Sequence, residues 1–161
     1  MRKLKDTTMQ QLPARRQTGF SLIEIMITMV VLSIGLLGIA GIIVTNLKNT
    51  QSASSRGQAT FLINDIVDRM RANRVAAETI PSPYALALGG TGSGVAGVPG
   101  TDLRDWVDSL QAALPEGKGS VVVDNATRNI TVTVQWNDSR AQGGGVKSGK
   151  TAQQLVVETH L

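Results

Sequence analysis

One acidic side chain stands at the lip of a long apolar run, and its position demands a chemical explanation. Glu24 follows Gly19-Phe20-Ser21-Leu22-Ile23 and precedes residues 25–44, IMITMVVLSIGLLGIAGIIV. That run carries no charge and only Thr28 and Ser33 as polar interruptions. A carboxylate carried into hydrocarbon costs about 2–4 kcal/mol on insertion scales, so such a group usually has a partner. Were the chain cut after Gly19, the new α-amino group of Phe20 would be a cation. In a helical polymer of such chains, Glu24 of one subunit would pair with the amino terminus of its neighbour. The plainer alternative places Glu24 at the membrane interface, facing headgroups and water. The residues alone leave both readings open.

Other chemistries find little support. The chain has no cysteine, which excludes disulfides, thiolate metal sites and cysteine nucleophiles. Its single histidine is His160, so neither a zinc site nor a His-based triad is expected, and no metal or cofactor is assigned. Gly92-Ser93-Gly94-Val95-Ala96-Gly97 matches G-x-G-x-x-G literally. The phosphate-binding form needs a strand before it and a helix opening at the third glycine. Residues 84–88 read as a weak strand at best, and Pro99 follows too soon for a helix to begin at Gly97, so nucleotide binding is not expected. Asn125-Ala126-Thr127, Asn129-Ile130-Thr131 and Asn137-Asp138-Ser139 match the N-glycosylation pattern and are read here as turn and strand residues.

The elements that must position Glu24 come from charge and hydropathy. The net charge of +4 lies in residues 1–19, where Arg2, Lys3, Lys5, Arg15 and Arg16 face one acid, Asp6. The remaining residues are balanced, so nucleic-acid binding by the whole chain loses its main support. Twenty apolar residues at about 1.5 Å each span roughly 30 Å, the hydrocarbon thickness of a bilayer. The basic tail before the run holds the N-terminus in the cytoplasm and sends the rest across. A secretory signal would have a shorter apolar region with a small-residue cleavage site after it. Here Ala40-Gly41-Ile42 is a poor cleavage signal, and the small residue, Gly19, sits before the run instead.

Arg15-Arg16-Gln17-Thr18-Gly19-Phe20-Ser21-Leu22-Ile23-Glu24 resembles the leader of type IV prepilins and pseudopilins. The family pattern is a basic leader ending in Gly, then Phe, then Glu at the fifth mature position, then an apolar run. The resemblance implies cleavage by a prepilin peptidase between Gly19 and Phe20, N-methylation of Phe20 and an assembly role for Glu24. Residues 31–41, VLSIGLLGIAG, further resemble the PilV-type minor pilins. Gly35, Gly38 and Gly41 recur every three residues along one helical stripe. They offer either close helix packing through small residues or a locally weak helix.

Past the membrane run, Ala59, Leu62, Ile63, Ile66, Val67 and Met70 keep helical spacing. They extend a single helix from about 20 to about 74, with Asp65, Asp68, Arg69 and Arg71 on a solvated face. Residues 75–100, with three prolines and many glycines, read as loop. Thr101 or Asp102 is placed as the cap of a short helix with Leu103, Trp106, Val107, Leu110 and Leu114 inward and Pro115 at its end. Residues 120–123, 130–136 and Gln153–His160 read as strands; the second alternates with Ile130, Val132, Val134 and Trp136 on one side. Residues 125–129 form a hairpin loop and 141–151 a longer polar loop. Trp106 and Trp136 are assigned as core anchors.

The fold class is therefore α+β, and the resemblance implies a type IV pilin-like fold: a long N-terminal helix with its C-terminal half packed on a small antiparallel sheet. Residues 1–19 form a cleaved basic leader, 20–45 the transmembrane and assembly half of the helix, and 46–161 a periplasmic or extracellular head. Many pilins close their C-terminal loop with a disulfide, which this chain cannot make. The function implied is a minor pilin, a structural subunit that takes part in priming and assembly of a type IV pilus and is no enzyme. Its implied partners are prepilin peptidase, other minor pilins, the major pilin and the inner-membrane assembly platform. Its implied place is the inner membrane, C-terminus periplasmic, and then the pilus. The alternative is a minor pseudopilin of a type II secretion system. A membrane-tethered enzyme or sensor has no nucleophile–base pair, metal cluster or phosphate loop to support it.

Overall fold

Between Pro13 and Pro81 the chain has no proline to interrupt a helix. In the computed structural model, which describes residues 19–139 and 151–161, one helix, α1, runs over Leu22–Ala72. It begins where the Ser21 carbonyl accepts from the Glu24 and Ile25 amides, at 3.0 and 3.3 Å. It stops at Asn73, whose backbone leaves the helical region before a single turn, α2, over Arg74–Ala77. The observed helix is thus two residues shorter at each end than the spacing predicts. The cleaved-leader reading of residues 1–18 and the loop reading of residues 141–150 lie outside the described residues.

The chain divides into two units, residues 1–39 and 40–161. In the first, the described residues are the start of α1 and the three residues before it, with every side chain exposed. The second holds the rest of α1, then α2, α3 (Gly97–Ala113) and three strands, β1 (Lys118–Asp124), β2 (Asn129–Trp136) and β3 (Gln153–His160). The strands form one antiparallel sheet in the order β1-β2-β3, so each pairs with its neighbour in sequence. Val121 faces Val132, and Val132 faces Val157 in turn. This is the α+β arrangement, a long helix followed by a small antiparallel sheet.

The core of the second unit follows the two periodicities. Ala59, Leu62, Ile63, Ile66, Val67 and Met70 of α1 are buried, and so are Ile130, Val132, Val134 and Trp136 of β2. Leu103, Trp106, Val107 and Leu110 of α3 complete the same cluster, with Tyr84 and Leu114. Each Val, Leu, Ile or Met side chain among them contributes about 1.5–3 kcal/mol when fully buried. Trp106 also donates its indole N–H to the Leu62 carbonyl at 2.8 Å, which joins α3 to α1. A Cβ at Gly119 would overlap the Trp106 ring, so β1 needs glycine there to lie against it. The indole N–H of Trp136, also buried, has no partner among the described residues.

Three expectations need correction. A helix does begin at Gly97, because Pro99 falls in the first turn, where a backbone N–H has no helical acceptor to lose. Residues 75–100 are accordingly not all loop. Neither Thr101 nor Asp102 caps that helix: Ala96 holds the cap position, without a side-chain bond, and both residues lie inside α3. The Asp102 carboxylate is instead occupied by Tyr84 and Arg69. The face bearing Asp65 and Arg69 is not simply solvated, since Arg69 reaches Asp65 at 3.0 Å and α3 at Asp102 and Asp105, at 3.5 and 3.8 Å. Of residues 84–88, Leu86 alone makes a bridge, to Val121, so no strand precedes the glycine-rich segment.

Candidate functional site

Gly19, Phe20 and Ser21 precede the first helical residue. Phe20 is 81% exposed. The backbone around Gly19 is open, with nothing within 4 Å of where a Cβ would stand. A peptide bond between an uncluttered glycine and an exposed, non-helical residue presents no steric obstacle to a protease. Glu24 lies in the first turn of α1, where the unpaired N–H groups at the helix end favour a negative side chain. Its carboxylate is exposed and makes no hydrogen bond or ion pair with the described residues.

The helix behind Glu24 is apolar on every side. From residue 22 to residue 44 every side chain of it is exposed, none of them covered by the rest of the chain. Ile34, Leu37 and Ile39 are each more than half exposed. Thr28 and Ser33 turn their hydroxyls back onto the carbonyls of Ile25 and Met29, at 2.8 and 2.7 Å, which removes their demand for water. The helix fits membrane anchoring by length and composition. Gly35, Gly38 and Gly41 do not break it, and a Cβ at any of the three would meet nothing within 4 Å.

In the second unit the polar groups hold elements together. Tyr84 is fully buried and donates its hydroxyl to Asp102 Oδ2 at 2.6 Å, while Asn73 Nδ2 donates to the same hydroxyl at 3.2 Å. Burial, then the bond to Asp102, pushes the Tyr84 pKa up to about 12. Burial lowers that of Arg69, but its pairing with Asp65 and Asp102 more than reverses this and leaves it above the usual arginine value. The Arg74 guanidinium, 2.7 Å from Glu78, holds that carboxyl below its ordinary range. The Thr127 hydroxyl and the Ala126 amide do the same for Asp124 in the β1–β2 turn. Ser52 donates to Asp138 Oδ2 at 2.6 Å, with both residues buried. Sequence spacing gives no sign of the long-range pairings among these, whose members lie far apart along the chain.

The amides of Asn125, Asn129 and Asn137 are each engaged, with the carbonyls of Glu78 and Thr79, with Glu158 and with Glu116 respectively. His160 Nδ1 lies 3.0 Å from the Leu161 carbonyl. Among the described residues no group of three or more His, Cys, Asp or Glu side chains is placed to hold a metal ion. The structure brings Gly19, Phe20 and Glu24 together at one end of α1. Trp106 and Trp136 lie in the core of the second unit, and Gly35, Gly38 and Gly41 lie along the helix.

Residues 14–40 match the family model of the prokaryotic N-terminal methylation motif. The match covers the residues before α1 and the first part of α1, and motifs of this kind are carried by type IV pilins and pseudopilins. No curated protein and no solved structure is significantly similar to the chain.

Proposed function

We propose that the chain is a minor pilin of the PilV type, cut between Gly19 and Phe20, methylated on the new amine and built into a type IV pilus. The observation that carries this reading is the methylation motif over residues 14–40, together with an apolar first half of α1, residues 22–44, whose side chains are all exposed. Such a helix is stable in lipid or against similar helices. Leaving the inner membrane therefore requires neighbours, and Glu24 then needs a cation. The neighbour's amino terminus supplies one, which makes the pairing both a docking signal and a register. Residues 20–45 act as the anchor and assembly half, and 46–161 as the periplasmic and then surface-exposed head. Other minor pilins, the major pilin and the inner-membrane platform are the partners in this reading.

Mass spectrometry of sheared filaments tests it. The expected result is a chain beginning at a methylated Phe20. A chain that retains residues 1–19, or that never leaves the envelope, overturns the proposal. If deletion abolishes protein secretion and leaves piliation intact, the same leader serves a type II secretion pseudopilus instead.

A further inference from the structure

The sheet has two outer edges, and the fold treats them differently. That of β1 is covered from within the chain: Leu86 and Val121 exchange backbone bonds, each at 2.9 Å, and the Gly89 amide donates to the Gly119 carbonyl at 3.3 Å. That of β3 is open. Leu161 donates to the Arg128 carbonyl at 3.0 Å, and an antiparallel ladder bonds at every second residue, so Thr159, Val157, Leu155 and Gln153 turn their backbone groups toward β2. Gln154, Val156 and Glu158 turn theirs outward, and among the described residues those amides and carbonyls have no hydrogen-bond partner. The next outward carbonyl, that of His160, accepts from Arg71 Nη2 at 3.3 Å, which closes the edge at that end. The side chains repeat the asymmetry. Ile130, Val132 and Val134 of β2 are fully buried, whereas Leu155 and Val157, on the same face of the sheet, are only partly buried. Open edges are ordinarily guarded by lysine, proline or a bulge, and Gln153–His160 has none of these.

We infer that β3 pairs edge to edge, antiparallel, with β3 of a second copy of this chain, Val156 opposite Val156. An extended strand is what satisfies both backbone groups of each outward residue, and β3 matches itself in this one register. On the inner face, Leu155 of each copy stands opposite Val157 of the other, which covers the two side chains the fold leaves half open. On the outer face, Gln154 stands opposite Glu158, an amide donor beside a carboxylate, and the two Glu158 side chains are kept apart. Gln153 meets Thr159. Apolar thus faces apolar and polar faces polar at every position. Sliding the strands by two residues one way sets Val156 against Glu158 and Leu155 against Thr159; sliding them the other way sets Val156 against Gln154 and Val157 against Gln153. The pairs Val156–Val156 and Gln154–Glu158 are also the ones whose backbones face outward, so each exchanges both of its N–H···O bonds. The contact is small. A stable soluble pair buries about 800 Å² per partner, more than one strand edge supplies, so pairing needs a high local concentration of chain. The inference concerns the second unit alone and does not rest on the filament reading.

The chain has no cysteine, so single engineered cysteines report the register directly. The test uses the full chain, concentrated in detergent micelles and oxidised with copper–phenanthroline. Val156→Cys is expected to give a disulfide dimer, because residues paired in this way stand about 5.5 Å apart between Cα atoms, within disulfide reach. Gln154→Cys alone and Glu158→Cys alone are expected to stay monomeric, since each position lies about four residues, roughly 14 Å, out of register with itself. A mixture of those two variants is expected to crosslink. Val122→Cys, on β1 and as exposed as Val156, reports chance collision and should stay monomeric. Adding Val156→Lys to both members of the mixture sets like charges opposite each other and should lower the crosslinked fraction about tenfold. All the substituted side chains are exposed, so the tryptophan fluorescence of each variant should match that of the wild type. Crosslinking at all four single positions alike, or at none, overturns the inference, as does a mixture that Val156→Lys leaves unchanged.

Discussion

Tyr84→Phe removes one oxygen from the core and changes little else. The lost hydroxyl donates to Asp102 Oδ2 at 2.6 Å and accepts from Asn73 Nδ2 at 3.2 Å. A hydrogen bond to a charged group contributes about 1.5–3 kcal/mol. Asp102 keeps Arg69 at 3.5 Å, which places the expected loss near the lower end, at about 1.5–2 kcal/mol. The pH dependence is the sharper test. Folding raises the Tyr84 pKa from 10.0 to about 12, so the unfolded chain releases this proton first. The stabilisation is therefore fully present below pH 10 and is lost as pH rises toward 12. At about 1.4 kcal/mol per unit, the alkaline loss totals roughly 2–3 kcal/mol. The phenylalanine variant has no proton to release at this position, so the gap between the two proteins should close over that window. Denaturant unfolding of the full chain in detergent micelles, followed by tryptophan fluorescence, measures the gap. Tyr84 is the chain's single tyrosine, so tyrosinate absorbance reports this group alone. Ionisation with a midpoint near pH 10 while the fold is intact would refute the reasoning, as would a gap that persists unchanged to pH 12.

The two tryptophans should respond differently to the same substitution. Trp106→Phe removes a second hydrogen bond from the Leu62 carbonyl, which keeps its helical one, and should cost about 0.5–1.5 kcal/mol beyond the lost volume, whereas Trp136→Phe removes an indole N–H that has no partner among the described residues and should cost measurably less; equal losses in denaturant unfolding would contradict this. Ser52→Ala leaves the Asp138 carboxylate buried without that donor and should destabilise by about 1–3 kcal/mol, checked by the same unfolding curves. Glu24→Ala should still insert and still be cut after Gly19, yet be depleted from sheared filaments; wild-type filament levels on immunoblots would remove the pairing with a neighbour's amino terminus.

Where a pattern is periodic, the fold can be read from residues alone. The spacing of Ala59, Leu62, Ile63, Ile66, Val67 and Met70 matches a buried helical stripe, and the alternation from Ile130 to Trp136 matches a half-buried strand. Both signals come from burial repeated at a fixed period, and they survive without knowledge of partners. The start of α3 is hidden because Pro99 reads as a breaker, although the first helical turn tolerates it. Asp102 misleads for a related reason: a local preference for capping is outweighed by tertiary partners, Tyr84 and Arg69, that no window of sequence contains. The leader stands out because its residues are contiguous. The open edge of β3 does not, because alternation along a strand is the same whether one neighbour or two flank it.

The bonds from α3 and the neighbouring loop to α1 converge on a short stretch of it. Trp106 holds the Leu62 carbonyl, Asp102 and Asp105 hold Arg69, and Tyr84 holds Asn73. Arg71, between them, reaches the end of β3 through Thr159 and the His160 carbonyl. Pull on that helix along its axis would load these links side by side, in shear. The strands need not slide on one another until those links and the buried stripe from Ala59 to Met70 give way together, so the load is borne over about three turns of helix.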